Sequence, residues 1–315
     1  MLVVPLNYNK LCEIAASERN PLIRRPPMRR AIKGGVAALF VALLAMPALA
    51  QFKPIKPDQS PPMDSKESYI AWMKANRGES DKWLNARWDR FVHVVRNKDL
   101  WTDKTKRAFL LTPREVFAAG NPAVSQRGYE HAFLDMGFGV TMSGPHLQSR
   151  MTEVIDVKRG EKVLEIGTGS GTQAGYLSEL TDKVYTIEII APLATRTRGI
   201  YDKAIAAGYE EFKGIQTKQA DGYYGWQEAA PFDKIIVTTG IDHIPPPLLQ
   251  QLKPGGIMVI PVGPPGAQRV LKVIKQIASD GAVSVTREDI YGGKIVPFVP
   301  FTKLVDGEIK GTHNK

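Results

Sequence analysis

Hydrophobic and polar positions follow two different periods along this chain. Over residues 65–76, Tyr69, Ile70 and Met73 share one helical face, with Gly78 as a stop. Over residues 81–96, Leu84, Trp88, Phe91 and Val95 do the same. Apolar residues three and four apart predict two amphipathic helices. Four of the five tryptophans (Trp72, Trp83, Trp88 and Trp101) fall in this region, where an aromatic stripe at helical spacing serves packing. From Thr112 the pattern changes. Thr112-Pro113-Arg114-Glu115-Val116-Phe117 starts a helix with proline in its first turn. Val140 and Met142 alternate as a short extended piece, and another helix covers 146–155. Beyond Glu161, β-rich runs at 163–166, 183–189, 232–239 and 257–261 alternate with helical patterns. Those patterns sit at Ala174, Leu177 and Leu180, between Pro192 and Gly208, and over 248–252. Strands alternating with helices, with 232–239 a continuous buried-type strand, predict an α/β fold: a mostly parallel sheet with helices on both faces and an N-terminal helical extension.

The junction between the first strand and its helix carries the most specific chemistry. Val163 to Ile166 runs into Gly167-Thr168-Gly169-Ser170-Gly171, with Glu165 at the mouth of the strand. A strand, a glycine turn and a helix bring bare backbone amides against a nucleotide-like ligand, and glycine is needed because such turns visit positive φ. The dinucleotide fingerprint is G-x-G-x-x-G, but here the third glycine comes one residue early and Thr172 takes its place. Glu188 closes the second strand, where an acid accepts hydrogen bonds from both ribose hydroxyls and repels a 2′-phosphate. After a short third strand, Gln219-Ala220-Asp221-Gly222 makes a polar turn from which Asp221 can receive an adenine amino group. Ahead of the loop, Ser143-Gly144-Pro145-His146 opens a helix. The Ser143 hydroxyl there is either an N-cap or a group set in a positive field suited to a carboxylate, and the two roles are compatible.

The front of the chain reads as an address. Arg29, Arg30 and Lys33 precede an uncharged run over 34–50 that ends Met46-Pro47-Ala48-Leu49-Ala50. A basic segment, an apolar segment and an A-x-A site describe a secretory signal peptide cleaved before Gln51. Met28 stands where such a peptide naturally starts, so 1–27 read as an over-called start. The expected location is periplasmic or secreted, with no stable membrane insertion after cleavage; an uncleaved anchor and a cytoplasmic protein are the alternatives. The expected divisions are this signal peptide (1–50), a linker and helical extension (51–111), the catalytic domain (112–303) and a tail (304–315). The net charge of +10 falls to +5 once residues 1–50 are set aside, and no basic block is interleaved with aromatics, so no nucleic-acid partner is expected. The single cysteine, Cys12, lies in the leader, which excludes a Cys nucleophile, a Cys-based zinc site and a disulfide framework from the rest. No metal is expected.

Five segments occur in order: V-L-E-I-G-T-G-S-G, V-Y-T-I-E-I, D-G-Y-Y-G-W, P-F-D-K-I-I-V-T and I-P-P-P-L-L-Q-Q-L-K-P-G-G-I-M-V-I-P-V-G. Together they resemble the protein-L-isoaspartate (D-aspartate) O-methyltransferase family, with V-T-M-S-G-P-H similar to its substrate segment and 296–301 similar to its closing strand. The resemblance implies a Rossmann-like class I methyltransferase domain with S-adenosyl-L-methionine as cofactor. It also implies isoaspartyl proteins or peptides as substrates and a role in protein repair; a monomer is expected. Carried onto this chain, it makes Ser143 the residue that holds the attacking carboxylate. It makes His146, Glu165, Gly167, Thr168, Gly169, Ser170, Gly171, Glu188, Asp221 and Gly222 the cofactor-binding residues. The chain departs from the family at His131, at Leu134-Asp135-Met136-Gly137 and at Gly144, all around the substrate segment. A methyltransferase of another substrate and a non-catalytic exported relative are therefore the alternatives.

Overall fold

The computed structural model describes residues 54–314, so the signal peptide, its cleavage point and Cys12 lie outside the described residues. The first helix, α1 (Lys66–Arg77), starts at Ser65, whose hydroxyl accepts the Ser68 N–H at 3.1 Å, and stops at Gly78 in the left-handed region. It is followed by α2 (Asp81–Arg96) and α3 (Asp103–Leu111). The third helix was not expected, because its buried apolar residues are bunched at its C-terminal end instead of spaced along a face. Tyr69, Met73, Leu84, Trp88, Phe91, Val94 and Phe109 form one core with Tyr176 of the following domain. Packing therefore explains the aromatic stripe, although Trp101 stays half-exposed and Val94 replaces Val95 on the buried side. Arg87 fixes the extension to the domain: its buried guanidinium meets Glu79 at 2.7 Å and Glu115 at 2.9 Å and donates to the Tyr129 hydroxyl at 2.7 Å. A buried cation costs several kcal/mol unless paired in this way.

After α4 (Arg114–Ala118), β1 (Leu134–Gly137) and β2 (Val140–Met142) form a two-stranded antiparallel ribbon that leads into α5 (Pro145–Ile155). The domain proper runs β3 (Val163–Ile166), α6 (Thr172–Ser178), β4 (Val184–Glu188), α7 (Ala191–Ala206) and β5 (Ile215–Gln219). It continues with β6 (Phe232–Val237), α8 (Pro246–Gln251), β7 (Leu252–Val262), β8 (Arg269–Ile277) and β9 (Val283–Asp289), and ends in β10 (Thr302–Val305) and β11 (Glu308–Thr312). The main sheet has the order β5-β4-β3-β6-β7-β8-β9, parallel from β5 to β7 and antiparallel beyond. Alternate side chains of a strand face opposite ways. Val163, Val184, Ile236 and Val259 join the core under α5, α6 and α7, while Leu164, Ile187, Ile235 and Met258 join the one under α8. Strand order reverses between β3 and β6, and that switch point opens the crevice where α/β proteins place ligands.

Several expectations change. The segment at 296–301 is no strand; it makes only isolated bridges, Val296 with Gln268 and Pro300 with Gly240. The expected tail is the β10–β11 hairpin. The Lys253–Gly256 turn is absorbed into β7 as a register shift against β6. Among the described residues, no helix is long and apolar enough to cross a membrane.

Candidate active site

The glycine loop leaves β3 at the switch point. Gly171 has φ +93°, and a Cβ there would stand 2.7 Å from the Tyr201 hydroxyl oxygen, so both backbone and space demand glycine. The loop is pinned from below. Thr238 donates its hydroxyl to the Gly167 carbonyl at 2.7 Å, Thr197 to Gly169 at 2.7 Å, and Tyr201 to Gly171 at 2.8 Å. Four of its five amides are occupied too, against the expectation that they stand bare. Gly167 and Thr168 donate to the Ile187 carbonyl at 2.9 and 3.1 Å, Gly171 to Thr168 at 2.8 Å, and Gly169 to the Glu188 carboxylate at 2.8 Å. A dinucleotide's pyrophosphate needs such N–H groups pointing at it. A loop with most of its donors already engaged suits a ligand without phosphate that lies close against the backbone.

The acids differ in their surroundings. Glu188 is the last residue of β4, and its carboxylate accepts from Gly169 N at 2.8 Å and Ile190 N at 3.0 Å. Its remaining lone-pair capacity is open to hydroxyl donors. Burial pushes its pKa up, while those backbone N–H groups pull it down. It borders a cavity of about 490 Å³ with Thr168, Thr195, Arg198, Thr217 and Lys218 in its wall. Glu165 is not at the mouth of its strand: it is fully buried beneath the loop. One oxygen takes the Thr186 hydroxyl, which also meets Thr168 at 2.6 Å, and the other has no partner. Burial raises its pKa to about 8, the Thr186 hydrogen bond opposes this, and the Glu188 charge adds to it. Ser170 is also turned inward, its hydroxyl 2.9 Å from that of Thr172.

Asp221 does not present a free carboxylate. It caps its own turn by accepting Tyr223 N at 3.0 Å, and it also accepts Leu304 N at 3.0 Å and the His313 ring at 2.8 Å. The hairpin that binds it was read as a tail, so nothing in the sequence pointed to this contact. Gly222 lies against the end of β3: a Cβ would meet Ile166 Cγ2 at 2.5 Å.

The Ser143 segment sits before α5, and the capping expectation fails there. Gly144 is the boundary residue, and no side chain caps the helix. The Ser143 hydroxyl therefore stays uncommitted to the fold, while its carbonyl accepts from Arg114 Nη2 at 2.7 Å. Arg114 is fully buried and also holds the Gly128 carbonyl at 2.6 Å and the Gln148 amide oxygen. His146 stacks on His131 with centroids 4.0 Å apart and 3° between planes, and a Cβ on Gly144 would touch its ring. Its Nδ1 is buried without a partner. Burial first, then the His131, Arg90 and Arg114 charges, push its pKa down to about 4. These contacts set His146 against His131 and Gly144 in the segment before α5. Sequence reading missed Arg114, Thr186, Thr197, Tyr201 and Thr238; Arg114, Thr186 and Thr238 stood in segments already singled out, but nothing local marked their contacts, and Thr197 and Tyr201 lay within a helix read only for its apolar positions.

A sequence profile of the protein-L-isoaspartate(D-aspartate) O-methyltransferase family matches residues 86–305. This chain belongs to that family. The profile reaches back into α2, so the helical extension lies partly inside the family's own domain. The chain is 48% identical over 169 residues to protein-L-isoaspartate O-methyltransferase 1 of Nitrosospira multiformis, a match covering 54% of this chain and 68% of that one. It is 39% identical over 222 residues to the Opitutus terrae protein-L-isoaspartate O-methyltransferase, covering 69% and 89%. A Plasmodium falciparum family structure bound to S-adenosyl-L-homocysteine shares the fold at a TM-score of 0.56 and 17% identity, covering 69% of this chain and 98% of that one. Membership makes the chain an S-adenosylmethionine-dependent carboxyl O-methyltransferase with a class I methyltransferase fold. The phosphate-free cofactor agrees with a glycine loop most of whose amides are already taken.

Proposed function

We propose that this enzyme methylates the carboxylate of isoaspartyl residues in damaged proteins, the step that starts their repair. The family match over residues 86–305 carries the reading. When bound, S-adenosylmethionine supplies a methyl group on a sulfonium, which passes to a carboxylate oxygen as the sulfur–carbon bond breaks. Glu188 would hold the ribose hydroxyls with its remaining lone-pair capacity. The glycine loop and Gly222 would let the cofactor lie against bare backbone, and Glu165, through Thr186 and Thr168, would support that loop from beneath. An isoaspartyl carboxyl is ionised at neutral pH, so the chain has no proton to remove. His146, neutral above about pH 4, fits that requirement by making no claim on the carboxylate as a cation. Ser143 would donate its hydroxyl to one carboxylate oxygen, and Arg114 would fix Ser143 through its carbonyl. Holding two reactants in line and excluding water contributes about 7–11 kcal/mol in well-oriented systems.

The same reading includes export, motivated by the basic, apolar and A-x-A succession over 29–50, and action as a monomer. Protein recovered from the periplasm should then begin at Gln51. The activity itself is tested by incubating the enzyme with methyl-labelled S-adenosylmethionine and an aged protein. Label should enter as a base-labile ester that releases methanol, and failure to label aged protein above fresh protein would refute the reading.

A further inference from the structure

The Asp221 carboxylate sits at the ligand edge of the sheet: Ala220 N donates to the Glu188 carbonyl at 3.0 Å, and Gly222 touches the end of β3. Yet the chain itself fills this place. Asp221 Oδ1 accepts Tyr223 N at 3.0 Å and His313 Nε2 at 3.1 Å, and Oδ2 accepts Leu304 N at 3.0 Å and the same imidazole nitrogen at 2.8 Å. The one imidazole N–H is shared between the two oxygens, so three donors already crowd a carboxylate that offers about four lone-pair positions. The His313 ring also lies flat on Tyr223, with centroids 4.1 Å apart and 13° between planes, and Phe301 meets it edge-on at 5.8 Å. Asn314 Oδ1 accepts Asp242 N at 3.1 Å and fastens the end of the hairpin. The β10–β11 ribbon that carries His313 pairs only with itself, outside the seven-stranded sheet.

A flat nitrogen-bearing ring, stacked on an aromatic face and donating to a carboxylate, is also how a protein holds the amino edge of a purine. We propose that His313, stacked on Tyr223 and held by Asp221, occupies the place of the cofactor's purine end whenever the C-terminal hairpin is closed. Hairpin and cofactor then compete for one place, and cofactor binding requires the ribbon to lift. The inference rests on Asp221 as the adenine-side acid. A ligand that binds only the open form has its apparent Kd raised by the inverse of the open fraction, so a hairpin closed two-thirds to nine-tenths of the time weakens binding roughly threefold to tenfold.

Calorimetry with S-adenosylhomocysteine on the full chain, on His313→Ala and on a chain ending at Lys303 tests this. The shortened chain keeps Phe301, which is buried and donates its N–H to Gly240 at 2.8 Å, so the core is retained. Both variants should bind roughly threefold to tenfold tighter than the full chain. Adding S-adenosylhomocysteine to the full chain should speed hydrogen exchange at the Leu304 amide, which leaves Asp221 as the ribbon lifts. Unchanged or weaker binding in both variants, or slower exchange across 302–312 on adding ligand, overturns the competition. Asp221→Asn in the shortened chain separates the two claims. Unchanged affinity there removes Asp221 as the purine's partner, and the shared place with it. Weakened affinity there, with no gain from removing the hairpin, overturns the competition alone.

Discussion

Replacing Glu165 by glutamine should change how stability depends on pH, and the direction follows from its surroundings. The residue is fully buried under the glycine loop, one oxygen has no partner, and its pKa stands at about 8 against 4.5 for an ordinary glutamate. Below pH 4.5 the folded and unfolded chains both carry the proton. Between 4.5 and 8 the unfolded carboxyl ionises while the folded one stays neutral, so the native state binds more protons and stability falls as pH rises. At about 1.4 kcal/mol per pH unit, the loss across that window comes to about 3–5 kcal/mol. Glu165→Gln removes the ionisation but keeps an oxygen for the Thr186 hydroxyl. The buried amide N–H groups cost about 1–3 kcal/mol at every pH, which cancels when one pH is compared with another. Urea unfolding without cofactor, at pH 5 and at pH 8.5, measures the difference. Relative to the parent, the variant should gain about 3–5 kcal/mol on going to the higher pH, a shift of about 1–2 M in midpoint. Parallel pH profiles for the two proteins would refute the buried, neutral assignment of Glu165.

Other substitutions follow from the same geometry. Because Ser143 does not cap its helix, Ser143→Ala should change stability by under about 0.5 kcal/mol. Its methyl transfer should nonetheless fall by up to about a hundredfold; a stable, fully active variant would remove Ser143 from the site. Glu188→Ala should weaken S-adenosylhomocysteine binding by roughly tenfold to a hundredfold in calorimetry, from hydrogen bonds to a charged group worth about 1.5–3 kcal/mol. Gly171→Ala should cost more than Gly160→Ala. Both sit at positive φ, +93° and +81°, but only the first meets other atoms, and only it should lose cofactor affinity.

The strands and the glycine loop were legible because local pattern dictates them: an apolar run, then glycines that positive φ and close contacts require. Asp81–Arg96 was read to the residue because its buried positions keep a helical period. Sequence pattern could not show where side chains meet across the fold. Thr197, Tyr201 and Thr238 hold the loop from α7 and from beyond β6, at separations no local window spans. Asp221 looked free because its partners, Leu304 and His313, lie more than eighty residues away. Ser143 looked like a cap because serine commonly caps helices, but the chain begins its helix one residue later, at Pro145 after Gly144. The missed β8 and β9 extend the sheet as an antiparallel edge, and β9 is mostly exposed, so its residues carry little apolar signal.

The central claim is tested most directly with two synthetic peptides of identical composition, one containing a normal aspartyl residue and the other its isoaspartyl isomer. Each is incubated with the purified enzyme and S-adenosylmethionine, and methyl ester and isomer content are followed by liquid chromatography with mass detection. The account predicts rapid esterification of the isoaspartyl peptide alone, followed by succinimide and then a rising fraction of the aspartyl form. Equal methylation of both peptides, or of neither under conditions where S-adenosylhomocysteine binds, would contradict it.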